Sequence, residues 1–373
     1  MRRTVRLDRR IQAGPAQVCL AVRVGESSWS ELRARLDALA AERFVVVTDG
    51  TAPADRAARV RALADDLAPT TVHDLRDGPL PPTATAGGGA GGGTGGGIGD
   101  GTVVVAVGGE RACELPADVR VPTDLAAACG PALTLHRPAP AALVWVRADQ
   151  LADRPAEWTR AGMVAVVRHV LAVCPAQYPT LAALLHPGAR YDEATLTALL
   201  ALCADARAAV VCFDPDETGP GLALGYGRSL ADAVRSVAGP ALAPGDAESL
   251  GLLLAARVAA RLGLAAGATG WAHRELLARN GSATALPDGV DADRLTAALV
   301  AAARPGLLLL ADLGRPYCAD GRLLTPVDGA VLRAAVEGLG DPAGAGVPRS
   351  RSAGPEPVPA RVPAPAGAGP GTA

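Results

Sequence analysis

The chain has 373 residues, which is long enough for two domains that each bury a core. Hydrophobic residues make up 49% and charged residues 20%, as in soluble globular proteins, and the aromatic content of 3% predicts a core of Ala, Leu and Val. The net charge of -2 includes no basic excess, so we expect neither nucleic acid nor a membrane surface as a partner.

All 36 basic residues are arginine. Codon bias in a GC-rich genome accounts for this, because Ala, Gly, Pro and Arg are enriched together. The consequence is chemical: the chain has no lysine to act as a base, to form a Schiff base or to bind phosphate as a point charge.

Cysteine usage and the N-terminus predict a cytoplasmic location. The seven cysteines include no C-x-x-C pair, which favours reduced thiols over disulfides or a zinc ribbon. The arginine-rich first ten residues lack the apolar core of a signal peptide. Arginines also interrupt the longest apolar runs, so no membrane span is predicted.

The first half of the chain predicts alternating strands and helices. Residues 17–24 alternate as in a strand, and Ser28 and Glu31 have the spacing of a capping box before a helix. A buried strand at 44–47 leads into Asp49, and a second helix follows at 55–67. This order predicts a Rossmann-like α/β domain. An aspartate at such a strand end either binds the hydroxyls of a nucleotide ribose or caps the next turn.

A glycine-rich tract and three further strands complete this domain, and the last strand is predicted at 143–146. Within residues 79–101 a glycine tract follows Pro81 and Pro82 and leads into a strand, so it predicts a flexible linker rather than a phosphate-binding loop. The next strand, at 102–107, ends in Gly108 and Gly109. Another strand ends near Thr123. We place the domain at residues 1–146.

The rest of the chain predicts helices, because apolar residues recur every three to four positions. A helical domain is expected at 147–338, and the Pro-, Gly- and Ala-rich residues 339–373 are expected to be a disordered tail. The predicted fold class is therefore α/β, with a Rossmann-like N-terminal domain followed by an all-helical C-terminal domain. Its main helices are predicted at 158–173, 193–211, 229–237, 246–264 and 292–303.

The segment 207–234 has a distinctive order of features. Arg207 lies seven positions before Asp214, an acidic turn keeps Glu217 and Gly219, and a new helix begins after Gly227. This order resembles the sugar phosphate cyclase family, whose best-known member is 3-dehydroquinate synthase. That family has a lysine seven residues before an Asp-Glu-x-Glu-x-Gly turn, followed by two helix starts that contain histidine.

The resemblance implies a nicotinamide dinucleotide site in the N-terminal domain. Its positions in this chain are Asp49, Gly108, Gly109 and Thr123. The family has a third glycine where this chain has Glu110, whose side chain and charge would lie beside the dinucleotide phosphates. We therefore expect weak dinucleotide binding or none.

The resemblance also implies a metal ion held by one glutamate and two histidines. The corresponding positions are Ala165, Arg228 and Pro244, none of which binds a metal. A site rebuilt from His169, Asp232, Asp246 or Glu248 is an alternative. At the family's lysine positions the chain has Arg168 and Arg207, and with Arg228 these arginines are candidates for holding a sugar phosphate.

Three hypotheses follow for function. The first is a non-catalytic relative without bound cofactor, which acts as a partner or regulator of an enzyme in a sugar phosphate cyclase pathway. The alternative is an active cyclase that makes a dehydroquinate, 2-deoxy-scyllo-inosose or 2-epi-5-epi-valiolone ring with NAD and zinc or cobalt. The third is a decaying gene whose product does not fold stably. Active members of the family are commonly dimers, so a homodimer is also expected.

Overall fold

The computed structural model describes residues 5–14, 16–79, 101–135, 140–239 and 242–339. Most of the predicted linker, the segment 136–139 and almost all of the predicted tail lie outside these ranges. The predictions of a flexible linker and a disordered tail therefore remain predictions.

Within the described part of the chain, one seven-stranded sheet has the order β1-β2-β7-β6-β5-β3-β4. The pair β1 and β2 is antiparallel, and the other neighbouring strands are parallel. The strands are β1 (Leu7–Ala13), β2 (Ala16–Arg23), β3 (Arg43–Thr48), β4 (Thr70–Asp74), β5 (Thr102–Gly108), β6 (Val119–Pro122) and β7 (Leu143–Arg147).

The central strands form because short runs of β-branched residues are buried on both faces of a parallel sheet. Every residue of β5 is buried, and so are the last three residues of β3. Two strands were not predicted, because β1 is rich in exposed arginine and β4 is mostly polar. Neither has the alternation or the apolar run that indicates a strand.

Helices cover both faces of the sheet. On the side that holds Phe44 and Trp145, α1 and α2 pack through Leu32, Leu36 and Val60. The helices of the N-terminal part are α1 (Ser28–Asp37), α2 (Ala54–Asp65), α3 (Glu110–Cys113) and α4 (Leu125–Cys129).

The predicted capping box at the start of α1 is wrong. The Ser28 hydroxyl donates to the carbonyl of Gly25, and the Glu31 carboxylate accepts from both Arg23 and Arg6. Glu31 is therefore bound by arginines instead of by the backbone at the helix start.

The C-terminal part is mainly helical, as predicted, and the fold class is confirmed. It also contains two short two-stranded pieces, in which β8 pairs with β11 and β9 pairs with β10. Its helices are α5 (Ala148–Ala152), α6 (Ala156–Ala172), α7 (Tyr178–Leu184), α8 (Glu193–Val211), α9 (Arg228–Ala238), α10 (Asp246–Arg261), α11 (Gly267–Asn280), α12 (Ala292–Ala302) and α13 (Gly329–Glu337); its strands are β8 (Leu307–Leu308), β9 (Leu310–Asp312), β10 (Arg315–Pro316) and β11 (Leu324–Thr325).

One core joins the two parts of the chain. It includes Ile11 and Leu20 of the sheet together with Met163 of α6 and Leu196 of α8. The boundary predicted at residue 146 therefore separates two regions that share apolar contacts, and it remains a prediction as a domain boundary.

Among the described residues, one helix is long and apolar enough to cross a membrane, namely α8. Half of its apolar window is buried inside the protein, and it packs against β1. Both features are also typical of the core helix of a soluble protein.

Candidate functional site

The first group of predicted site residues lies where neighbouring parallel strands end. Asp49 follows β3, Gly108 ends β5 and Thr123 follows β6. Because these strands are parallel neighbours, their carboxyl ends meet at one edge of the sheet, where open α/β sheets bind ligands. A cleft of about 300 Å³ lies between this edge and the helical part. We call it the central cleft; its lining includes Asp49, Gly109, Glu110, Ala165, Arg168, Arg235, Pro244 and Glu248.

Asp49 binds the turn that begins α3. Its carboxylate accepts hydrogen bonds from the backbone amides of Gly109 at 3.1 Å and Ala112 at 3.0 Å. The hydroxyl of Thr51 donates to the same carboxylate at 2.6 Å. Asp49 also accepts from the Thr51 amide at 3.1 Å, as expected for a turn cap, while binding of a nucleotide ribose remains a prediction.

The glycines at this turn bring acidic side chains close to the backbone. A Cβ atom on Gly108 would lie 2.8 Å from Cγ of Asp49, and one on Gly109 would lie 2.9 Å from a carboxylate oxygen of Asp124. The Thr123 amide donates to the Gly108 carbonyl at 2.9 Å. The structure therefore brings the four predicted dinucleotide positions together.

Two further carboxyl groups give this side of the cleft an acidic character. Asp124 is 3% exposed, and burial raises its pKa although it accepts a hydrogen bond from the Ala127 amide at 2.8 Å. Burial also raises the pKa of Glu110, and the negative charge of Glu248 contributes to the shift. Sequence reasoning singled out Glu110 but not Asp124.

The opposite side of the cleft holds three paired charges, which we call the Arg–Glu–Arg cluster. Glu248 of α10 accepts hydrogen bonds from Arg168 of α6 and, at 2.8 Å, from Arg235 of α9. Burial alone would raise the pKa of Glu248, but the two guanidinium groups outweigh it and lower the pKa. Sequence reasoning did not single out Arg235.

Arg207 lies at the end of α8 and is buried. Burial lowers the pKa of its guanidinium, while the ion pair with Glu217 opposes the shift. The acidic turn is held by Asp214, whose carboxylate accepts from the amides of Gly219 at 2.8 Å and Gly221 at 2.7 Å. Arg207 and Asp214 therefore stabilise the turn that leads to α9, and neither side chain lines the central cleft.

Arg228 begins α9, and its side chain is 43% exposed. It pairs with Glu114 at 3.4 Å, across the two parts of the chain. An exposed ion pair at this distance contributes little to stability. Because the pair is weak and the Arg228 side chain is exposed, its guanidinium remains accessible to an anion.

The alternative metal ligands His169, Asp232, Asp246 and Glu248 do not come together as a metal site in the described residues. His169 is buried, and its Nδ1 lies 2.7 Å from the carbonyl of Ala165. Asp232 accepts from Arg235 at 2.6 Å, and Asp246 accepts from the Ala283 amide at 3.1 Å. In the described ranges, no three His, Cys, Asp or Glu side chains come together in a way that could hold a metal ion.

Tyr226 links the Arg–Glu–Arg cluster to the buried His273. Its carbonyl accepts from Nε of Arg168 at 3.0 Å, and its hydroxyl donates to Nε2 of His273 at 3.0 Å. Nδ1 of His273 donates in turn to the Thr269 carbonyl at 2.7 Å. This pattern requires a neutral imidazole.

We expect His273 to make the protein sensitive to acid. Complete burial lowers the pKa of His273 to about 4, below the value of about 6.5 in an unfolded chain. Its contribution to the free energy of unfolding is therefore present above pH 6.5 and is lost as the pH falls toward 4, by about 3 kcal/mol. The difference in stability between the wild type and His273→Gln, measured by urea unfolding, should shrink over this range.

This comparison separates His273 from Asp118. Burial raises the pKa of Asp118 to about 6, so Asp118 stabilises the fold more at low pH and has the opposite slope. Asp118 contributes equally to both proteins and cancels in their difference. A difference that stays constant between pH 7 and pH 4.5 would contradict the assignment to His273.

A second cavity, of about 310 Å³, lies at the start of α9. Its lining includes Glu217, Gly227, Ser229 and Arg304. The central cleft is the better candidate because it lies at the carboxyl edge of the sheet and is lined by Asp49 and Gly109 of the predicted dinucleotide positions and by Ala165 and Pro244 of the predicted metal positions.

Comparison with known proteins assigns the family. A family model described as 3-dehydroquinate synthase C-terminal matches residues 162–302. The chain is 33% identical over 366 residues to the 2-deoxy-scyllo-inosose synthase of Streptomyces lividus, covering 87% of this chain and 94% of the synthase. This chain belongs to the sugar phosphate cyclase family. The synthase of Streptomyces paromomycinus is 32% identical over 86% of this cyclase homologue and 93% of its own length.

Solved structures show the same fold. A 2-deoxy-scyllo-inosose synthase complexed with carbaglucose-6-phosphate, NAD+ and Co2+ aligns with a TM-score of 0.72 at 20% identity, over 88% of this cyclase homologue and 99% of that chain. A 2-epi-5-epi-valiolone synthase from Streptomyces hygroscopicus subsp. jinggangensis 5008, with NAD+ and Zn2+ bound, aligns with a TM-score of 0.60 at 19% identity, over 85% and 96% of the two chains.

The residues of this cyclase homologue do not fit a dinucleotide pyrophosphate as they are placed. The amides of Gly109 and Ala112 already bind the carboxylate of Asp49. A pyrophosphate at this turn would also meet the carboxyl groups of Glu110 and Asp124 in the same cleft. Like charges at short range are repulsive, so NAD binding requires Asp49 to leave these amides.

The family's metal positions do not fit a metal either. Ala165 and Pro244 line the central cleft without a donor atom, and Arg228 supplies a positive charge.

Replacing Glu110 by glycine should strengthen NAD binding. Glu110→Gly removes both a side chain and a carboxyl group from the turn, and we expect the affinity to rise by about tenfold. Isothermal titration calorimetry with NAD+ measures the change. Glu114→Gln is the matched control, because it removes an exposed carboxylate nearby. Equal affinities for the two variants would show that Glu110 is not what limits binding.

Proposed function

We propose that this cyclase homologue is a hexose phosphate-binding protein of the 2-deoxy-scyllo-inosose synthase type. The observation that carries the proposal is its identity of 33% to such a synthase over 94% of the synthase. A solved synthase holds carbaglucose-6-phosphate, so a hexose 6-phosphate is the ligand class to test first.

The accessible arginines of the helical part are the groups suited to the phosphate. Arg235 lines the central cleft with its side chain 49% exposed, and Arg228, 43% exposed, begins the same helix. Guanidinium groups bind phosphate through two parallel hydrogen bonds. We assign these two residues to orienting the phosphate, while Arg168 holds Glu248 in place.

Two activities follow from this ligand. Ring formation of the 2-deoxy-scyllo-inosose type is the first candidate, because the relatives identified by sequence are synthases of this type. Binding without turnover is the second candidate, because Ala165, Arg228 and Pro244 stand at the metal positions. In the second case the protein acts as a partner or regulator of an active cyclase. A cytoplasmic location and a homodimer are part of the same proposal.

One set of measurements tests the ligand and separates the activities. Carbaglucose-6-phosphate is titrated into the full-length protein by calorimetry. Glucose 6-phosphate is then incubated with the protein, NAD+ and Co2+, and released phosphate and carbocycle are measured, with the Streptomyces lividus synthase as the positive control. Release of phosphate together with carbocycle supports ring formation. Binding of carbaglucose-6-phosphate without release of phosphate from glucose 6-phosphate supports binding without turnover. No binding of the analogue below about 10 mM would overturn the proposed function.

A further inference from the structure

We infer that the Arg–Glu–Arg cluster takes the place of a metal ion in this chain. The inference rests on the family relationship and on the positions of Arg168, Arg235 and Glu248. It assigns to the cluster the cross-linking of three helices and, through the half-exposed Arg235, a guanidinium group at the cleft that can bind a phosphate without a metal. Only the part that concerns a bound sugar phosphate rests on the proposed function.

The cluster comes from the same three structural elements as the family's metal positions. Arg168 lies three residues after Ala165 in α6, and Arg235 lies seven residues after Arg228 in α9. Spacings of three and seven return to the same face of a helix. Arg168 and Arg235 therefore lie on the same helix faces as Ala165 and Arg228.

The third residue of the cluster, Glu248, lies in the central cleft together with the third metal position, Pro244. Glu248 lies in the first turn of α10, four residues after Pro244, and both residues line the central cleft. Ala165 and Arg168 line it as well. Each residue of the cluster thus lies three to seven positions along the chain from a family metal position that has no metal-binding atom in this protein.

Both carboxylate oxygens of the cluster already accept hydrogen bonds from arginine, so neither is free to bind a divalent cation. One oxygen of Glu248 accepts from Arg168 and the other accepts from Arg235. The side chains of Arg168 and Glu248 are only 9% and 13% exposed. A cation entering here would compete with both hydrogen bonds and would approach two guanidinium groups, which repel it in a partly buried site.

The cluster links three helices to one another, as a bound metal ion would. A metal ion ties several elements together, and here one carboxylate ties α6 and α9 to α10. Arg168 is tied further to the chain before α9 through the Tyr226 carbonyl. Arg235 also pairs with Asp232 at 2.6 Å, so the two arginines are balanced by two carboxylates, and the half-exposed Arg235 side chain is the group that a phosphate can reach without a metal.

Metal binding gives the first test. The purified protein is dialysed against chelator and titrated with Co2+, and bound metal is measured by elemental analysis after gel filtration. We expect no stoichiometric binding. One equivalent of Co2+ bound with a Kd below about 10 μM would overturn the inference, because a working metal site would then exist.

The sugar phosphate gives the second test. Carbaglucose-6-phosphate is titrated in the presence of chelator and in the presence of Co2+, and the two affinities are expected to agree within about twofold. An affinity at least tenfold stronger with Co2+ would overturn metal independence. If the analogue binds in neither condition, the proposed function fails, while the metal titration still decides the inference.

Loss of the cluster gives the third test. Glu248→Gln leaves Arg168 buried without its carboxylate and is expected to lower Tm by about 4–8 °C. Arg235→Gln, whose side chain is half-exposed, is expected to lower it by about 2–4 °C, and it remains informative if Glu248→Gln does not fold. Glu114→Gln is the control, because it breaks an exposed ion pair between the two parts of the chain. A cross-linking role is overturned if Arg235→Gln or Glu248→Gln lowers Tm no more than Glu114→Gln does.

Discussion

Replacing Gly162 by alanine is expected to destabilise the protein by about 3–5 kcal/mol. A Cβ atom at Gly162 in α6 would lie 2.7 Å from the backbone nitrogen of Ala126 in α4 and would also overlap Leu125. Backbone atoms cannot move aside as a flexible side chain can. The two helices would have to separate, and α4 follows directly on the cleft residue Asp124.

Urea unfolding of the full-length protein measures this change. Gly270→Ala in α11 is the matched control, because a Cβ at Gly270 meets no atom within 4 Å. Alanine is the better helix former, so the control is expected to be unchanged or more stable by about 0.5–1 kcal/mol. The close approach of α6 to α4 is not essential if Gly162→Ala remains within about 1 kcal/mol of the wild type.

Replacing Asp49 by alanine is expected to cost about 3 kcal/mol. Asp49 is 7% exposed, and its loss removes the acceptor for the amides of Gly109 and Ala112 and for the Thr51 hydroxyl. Buried donors without an acceptor pay their full desolvation cost. The turn that begins α3 should therefore loosen before the rest of the sheet.

Hydrogen exchange of the amides of Gly109 and Ala112, followed together with urea unfolding, measures this effect. Asp74→Ala is the control, because Asp74 also ends a strand but forms its salt bridge with the exposed Arg76. The control should cost less than about 1 kcal/mol. Equal costs for the two variants would show that the contacts of Asp49 are worth no more than those of a surface carboxylate.

Local patterns in the sequence predicted much of the fold. The runs at 44–47 and 102–107 predicted buried strands because β-branched residues are recognisable without knowledge of their neighbours. The contacts at the start of α1 were not predicted, because the Glu31 carboxylate accepts a hydrogen bond from Arg23, a residue on β2. β1 was missed because its stability comes from pairing with β2 and packing on α8, and neither partner can be read from its own residues.

Sequence patterns likewise predicted one part of the candidate site and missed another. Asp49, Gly108, Gly109 and Thr123 could be placed together because parallel strands end at a common edge. The pairing of Arg235 with Glu248 depends on how α9 packs on α10, and no periodicity within either helix predicts it. A signal was nevertheless present, because charged residues lie three, seven and four positions from Ala165, Arg228 and Pro244.

The order of the strands has a consequence for how the chain folds. β2 lies beside β7 with Cys19 opposite Leu143, so more than a hundred residues separate two strands that must meet. Pairing at such long sequence separation slows folding, because the chain loses much of its conformational freedom before the contact is made. During synthesis, the edge of β2 that faces β7 stays unpaired until residue 147 has emerged from the ribosome, which leaves this edge open to aggregation in the nascent chain.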